Sequence, residues 1–278
     1  MERAKDRLAV IERIQEYERR GWFDRDVEND PPTRPLKPGE CDYLMARRST
    51  RILSELANRV AKRHFDRKIR KGELIIKRIR GIDNYLKIRD RGAVITCNHF
   101  NPYDNYAVFK AIEPYLGKHR LFKVIREGNY TSFPGLYGVF FRHCNTLPLA
   151  ASVPVMKEFL NAVSVLLKRG EKILIYPEQG MWWNYRKPRP LKPGAFRFAA
   201  AAGAPVLPVF ITMEDSDKTG ADGFPVQAYT LHFLPPILPD GSLPIRAQAD
   251  RMAEENYRAW KEVYERTYGK PLSYGEES

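Results

Sequence analysis

The sequence predicts an α/β fold with a mixed, largely parallel sheet flanked by helices and preceded by an N-terminal helical module. Three observations predict it. Beyond about residue 73, short apolar β-prone runs alternate with longer helical stretches. Two of those runs end in loops that carry chemically competent side chains and lead straight on towards helices. Ahead of them, a proline-rich stretch separates two segments of helical period.

Ala4 to Arg20 places Ala4, Leu8, Ile11, Ile14 and Tyr17 on one side of a helix that stops at Gly21. Asp24 to Glu40 holds Pro31, Pro32, Pro35 and Pro38 and is expected to be an extended connector. Residues 43–80 carry 13 Lys and Arg against three acids, and Ile52, Leu53, Leu56, Val60, Phe65 and Ile69 recur near helical spacing among Arg48, Arg51, Arg59, Lys62, Arg63, Arg67 and Arg70. That pattern is a basic amphipathic helix. The expected division is therefore residues 1–72 as the helical module and 73–278 as the α/β domain. Strands are expected at Leu74 to Ile79, Ala93 to Cys97, Ile173 to Tyr176, Val206 to Ile211 and Tyr229 to Leu234. Helices are expected at Tyr103 to Ile112, Val155 to Lys168, Gly194 to Ala202 and Ile245 to Tyr268, with KPLSYGEES fraying beyond.

Composition narrows the function classes. Three cysteines, Cys41, Cys97 and Cys144, form no C-x-x-C pair, so neither a zinc knuckle nor a disulfide framework is expected, and no metal ligands are assigned. The charged N-terminus lacks the apolar core of a secretion signal, which points to the cytoplasm. The longest apolar run, Phe198 to Met213, is broken by Gly203, Pro205 and Pro208 and falls short of the roughly 20 residues a spanning helix needs. The net charge of +13 is concentrated in the basic helix. Such a helix suits an anionic membrane surface or phosphates, the plain alternative being a solvated helix face.

In α/β sheets reactive groups gather at the carboxyl ends of strands. After Ala93 to Cys97 come Asn98 and His99, and Asp104 falls in the first turn of the next helix. Four intervening residues let the chain reverse so that the carboxylate returns to one ring nitrogen of His99 and leaves the other facing a cleft. A carboxylate-held imidazole is a general base for a hydroxyl. The second exit, after Ile173 to Tyr176, gives Pro177, Glu178, Gln179 and Gly180, then an aromatic and basic loop, then a helix whose Gly194 amides beside Lys192 form an anion site. The alternative there makes Glu178 an ion-pair partner of Arg186 or Lys187 and Trp182, Trp183 and Tyr185 packing residues.

Taken together, Asn98-His99 to Asp104, Tyr176-Pro177-Glu178, Lys192-Pro193-Gly194-Ala195-Phe196 and Pro205 to Val209 resemble the glycerolipid acyltransferase family, typified by PlsC-type lysophosphatidic acid acyltransferases. The resemblance spans roughly Gly81 to Ile211. It implies acyl transfer from a thioester, carried on acyl carrier protein or coenzyme A, to the hydroxyl of a lysophospholipid such as lysophosphatidic acid. It implies no cofactor or metal. His99 and Asp104 take the catalytic places, and Asn98, Glu178, Gly180, Lys192, Gly194 and Arg142 the substrate-binding ones. The anionic inner face of the cytoplasmic membrane is then the expected partner surface, engaged peripherally through the basic helix, and the aromatic segment Tyr130 to Phe141 either lines an acyl groove or is plain core.

The chain departs from the family in two places. Members commonly carry F-P-E-G-T-R-S where this chain has Tyr176-Pro177-Glu178-Gln179-Gly180-Met181-Trp182, so the block's arginine is missing. The family's phosphate-binding arginine has Arg142 as its stand-in, whereas alignment by length puts Leu149 or Ala150 there. A different head group or a glycolipid acceptor thereby becomes an alternative. Other readings are Cys97 as a nucleophile activated by His99, hydrolysis by His99 acting on water, a silent lipid-surface scaffold, and a nucleic-acid binder using Trp182, Trp183 and Tyr185 among Arg186, Lys187 and Arg189. The last leaves His99, Asp104 and Glu178 unexplained.

Overall fold

Two helices precede the sheet in the computed structural model, which describes residues 3–29 and 32–275. They are α1 (Lys5–Arg19) and α2 (Arg48–Lys71), joined by a connector with no helix or strand among its described residues. Helix α2 stops at Gly72, whose φ of 71° is the left-handed cap conformation that glycine adopts without strain. The chain then alternates: β1 (Ile75–Arg80), α3 (Ile82–Leu86), β2 (Ala93–Cys97), α4 (Asp104–Ile112), β3 (Leu121–Arg126), α5 (Glu127–Ser132), α6 (Gly135–His143), β4 (Thr146–Leu149), α7 (Val153–Lys168), β5 (Lys172–Ile175), α8 (Gly194–Ala202), β6 (Val206–Thr219), β7 (Pro225–Phe233) and α9 (Ile245–Tyr268).

The strands form one sheet in the order β1-β7-β6-β2-β5-β3-β4. The run from β6 to β4 is parallel, as is the β1–β7 pair, whereas β6 and β7 pair antiparallel. Helices cover both faces, which is why β2 and β5 are buried at every position rather than alternating. On one face Ile95 and Cys97 pack with Ala107, Val108 and Phe65 of α4 and α2; on the other Val94 and Ile173 pack with α7, α8 and Met252 of α9.

The sheet differs from expectation in two strands and two extensions, the second being β7, which begins at Pro225 rather than Tyr229. Strand β3 was hidden because Lys123 interrupts its apolar run, and β4 because it has only four residues, including Pro148. Strand β6 continues past Ile211 to Thr219, its exposed outer half pairing only with β7 as a two-stranded ribbon. The segment Tyr130 to Phe141 folds as α5 and α6, with Tyr137 and Phe140 packed on Phe65 of α2.

The described residues of the N-terminal segment pack against the rest of the chain. Ala57, Ala61 and Phe65 of α2 belong to the main core, while Val10 and Ile14 of α1 pack on Trp182, Trp183 and Phe224. The chain end is likewise tied down. Tyr274 donates to Pro188 O, and the Gly275 amide donates to Glu18. Of the tail expected to fray, Glu276 to Ser278 lie outside the described residues, as do Asp30 and Pro31 of the connector.

Gly92, at the entrance to β2, lies against the end of α7, where an added Cβ would stand 1.9 Å from Leu167 O. Backbone cannot yield there as a side chain would. Gly92→Ala is expected to lower stability by about 1–3 kcal/mol, measured as a drop in the urea midpoint at unchanged m.

Candidate active site

The site is made by two neighbouring strands ending together. Parallel register pairs Thr96 of β2 with Ile175 of β5, so the loops that begin at Asn98 and at Tyr176 leave the same edge side by side. The β5–α8–β6 connection runs α8 back along the sheet, which brings its N-terminus, with Gly194, to that edge.

His99 Nδ1 lies 2.8 Å from Asp104 Oδ2. An ionised carboxylate can only accept, so Nδ1 carries the proton, and in the neutral ring the lone pair is on Nε2. Among the described residues Nε2 has no hydrogen-bond partner, and the side chain is 21% exposed, whereas Asp104 is fully buried. The Asp104 carboxylate is satisfied from within the protein: Oδ2 also accepts from the Phe100 and Asn101 amides at 3.1 and 3.3 Å, and Oδ1 accepts from the Tyr176 hydroxyl at 2.6 Å. Buried charge is tolerable only with such a set of donors.

The second exit supports the first. Glu178 Oε2 accepts from the His99 amide at 3.1 Å, and Glu178 also accepts from the Arg189 amide and, at 3.2 Å, from the Arg189 guanidinium. Arg189 is fully enclosed, stacked over Trp182 and bonded to Gly180 O, and burial pulls its pKa down. Amides of Trp182 and Asn184 donate to His99 O and Phe100 O, lacing the two loops together.

Several candidate binding residues therefore have other work. Asn98 is buried and exchanges two hydrogen bonds with the Ile211 backbone, continuing the β2–β6 ladder with its side chain. Glu178 is buried, and its carboxylate is occupied by the His99 amide and by Arg189. Arg142 lies on α6 and donates to Phe133 O at 3.3 Å rather than approaching His99 and Asp104. Gly180 permits the close approach of Asp26, whose Oδ1 would stand 2.6 Å from an added Cβ. Lys192 reaches Asp24 at 3.7 Å with a half-exposed side chain, and an added Cβ on Gly194 would meet open space.

The sequence reading missed two residues. In the sequence Tyr176 stands out only as part of the Tyr176-Pro177-Glu178 motif, its hydroxyl being the one sign of a further role. Arg126 ends β3 and pairs with Asp26 beside Gly180, but a strand exit cannot be searched when the strand itself is not recognised.

Two rival readings fail on burial. Cys97 lies fully inside the core, where burial pushes its thiol well above the ordinary range and away from the thiolate a nucleophile needs. The aromatic and basic loop is no stacking platform, since Trp182 and Trp183 are buried, Lys187 pairs with Glu18 and Arg189 with Glu178.

Residues 77–212 match the acyltransferase family model. That span of the chain is an acyltransferase domain. Its fold is the PlsC fold: the chain is similar to the crystal structure of the 1-acyl-sn-glycerophosphate (LPA) acyltransferase PlsC from Thermotoga maritima, at 21% identity and a TM-score of 0.50 over 80% of this chain and 84% of that one. Among curated proteins no match is found. The matched span runs from within β1 to within β6 and contains both loops of the site.

Glu178→Gln removes the charge that balances buried Arg189 and is expected to destabilise the protein by about 3–5 kcal/mol, read from chemical denaturation. Asn98→Ala, which leaves the Ile211 backbone groups unpaired, is expected to cost about 1–3 kcal/mol.

Proposed function

We propose that this acyltransferase moves a fatty acyl group from a thioester, on acyl carrier protein or coenzyme A, to the hydroxyl of a lysophospholipid. The carrying observation is the His99–Asp104 hydrogen bond at 2.8 Å with Nε2 left for a substrate. His99 Nε2 takes the proton of the acceptor hydroxyl, and the oxygen attacks the thioester carbonyl carbon. Asp104 stabilises the resulting imidazolium. The tetrahedral intermediate collapses with cleavage of the carbon–sulfur bond, and the departing thiolate recovers the proton from Nε2. Free amides at the start of α8 and the Lys192 ammonium are the donors proposed for the oxyanion.

The acceptor head group is the finer part of this proposal. At the carboxyl end of β4, where the family's phosphate-binding arginine was expected by length, stand Leu149 and the buried Ala150. This favours a lysolipid with a head group other than a bare phosphate, or a glycolipid, as a second reading.

The site is proposed to work on a membrane surface. Among the described residues no helix is long and apolar enough to cross a membrane. Helix α2 instead turns its large aliphatics outward: Ile52, Leu53, Leu56 and Val60 are 47–52% exposed, flanked by Arg48, Arg51, Arg59 and Arg63. Its inner face holds Phe65, which stacks on Tyr106 of α4 at 4.7 Å and meets Tyr103, the residue before Asp104, at 6.0 Å. A helix seated in an anionic interface would thus hold the catalytic loop close to a bilayer-borne acceptor.

Acyl transfer from a labelled thioester to lysophospholipids of varied head group in anionic vesicles, with thiol release followed in parallel, tests the reaction. His99→Ala is expected to lose at least 10²–10⁴-fold in kcat while remaining folded. Thiol release without an acylated lipid would instead indicate hydrolysis. A Leu53→Ser, Leu56→Ser, Val60→Ser triple variant is expected to sediment with anionic vesicles several-fold less than wild type, with its far-UV spectrum unchanged.

A further inference from the structure

The Asp104 carboxylate has two oxygens with separate duties. Oδ2 takes His99 Nδ1 and two backbone amides, while Oδ1 takes the Tyr176 hydroxyl at 2.6 Å. The same Tyr176 lies flat against the imidazole of His99, with ring centroids 3.9 Å apart and planes inclined by 17°. One side chain at the exit of β5 therefore touches both members of the pair presented at the exit of β2. A phenylalanine would fill the same space and keep the stack, but would leave Oδ1 buried with no donor among the described residues.

We propose that Tyr176 is a positioning residue of the acyl-transfer site, holding Asp104 through its hydroxyl and orienting the His99 ring through its face. This rests on the reaction proposed above. Pinning Oδ1 fixes rotation of the carboxylate, so Oδ2 stays on Nδ1 and Nε2 keeps its direction. The hydroxyl also draws negative charge away from the carboxylate, which would otherwise strengthen its hold on a protonated imidazole.

The surrounding groups leave this role to Tyr176. Burial pushes the Tyr176 hydroxyl itself well above its ordinary range, so it remains a donor throughout the working range. Cys97 of β2 and Tyr229 of β7 also face Asp104, and burial keeps both protonated. Glu178 lies nearby but is paired with Arg189. Tyr103, the last residue before α4, packs on Phe65.

The test is Tyr176→Phe, which removes one oxygen and keeps the ring. Its kcat is expected to fall about tenfold, the loss associated with one hydrogen bond to a charged group, with KM for thioester and acceptor within about twofold of wild type. The acid limb of its kcat/KM profile is expected to move to higher pH. Tyr176→Leu, which loses the stack as well, is expected to lose more. In the substrate-free protein, the downfield proton on His99 Nδ1, assigned by its absence in His99→Ala, is expected to shift in Tyr176→Phe. Wild-type kcat with a superimposable pH profile in Tyr176→Phe would overturn the proposal. So would an unmoved Nδ1 proton, which decides the matter even if no acceptor is turned over and the proposed reaction itself fails.

Discussion

A buried carboxylate must find all its hydrogen bonds inside the protein, and the fold around Asp104 is arranged by that demand. Its four donors come from the reversing loop after β2 and from Tyr176 after β5. They converge only because β2 and β5 are adjacent and parallel with their ends in register. The loop is held from below in turn, since the His99 amide is bonded to Glu178 and Asn98 is stitched to β6. The imidazole thus stands on three strands of a rigid sheet, with one nitrogen committed to the carboxylate and the other turned outward.

A second layer of constraint ties the N-terminal segment to this edge. Arg189 is buried between Glu178 and Trp182, and it also donates to Phe23 O in the connector after α1. Trp182 donates to Arg25 O, and buried Lys187 meets Glu18 of α1 at 2.6 Å. Breaking such an enclosed pair from one side strands the other charge, so the loop after Glu178 and helix α1 are held as a unit. The cluster of aromatic and basic residues that suggests an exposed binding platform in the sequence is thereby the attachment of α1 to the domain.

Helix α2 shows the reverse relation between pattern and packing. Its periodicity was legible and correctly marks a helix, yet the face with the largest aliphatics is turned outward and the inner face is built of Ser54, Ala57, Ala61 and Phe65. Small residues allow α2 to approach the core closely, and Phe65 fills the space beside Tyr103 and Tyr106. Amphipathicity alone shows that a helix has two faces, not which of them the core takes.

The sequence by itself determined the α/β alternation, the central strands Ala93–Cys97 and Lys172–Ile175 to within a residue, and the His99–Asp104 contact. These depend on local periodicity and on a five-residue separation that a strand-to-helix turn closes. Strands β3 and β4 were not legible, because a lysine or a proline within a short run erases the pattern that a neighbouring strand restores. The fate of Asn98, Glu178 and Arg189, and the contact of Tyr176 with both His99 and Asp104, were decided only by tertiary structure. Each depends on which strand exits lie side by side and which charges become enclosed together, and strand order and enclosure are properties of the folded sheet, not of spacing along the chain.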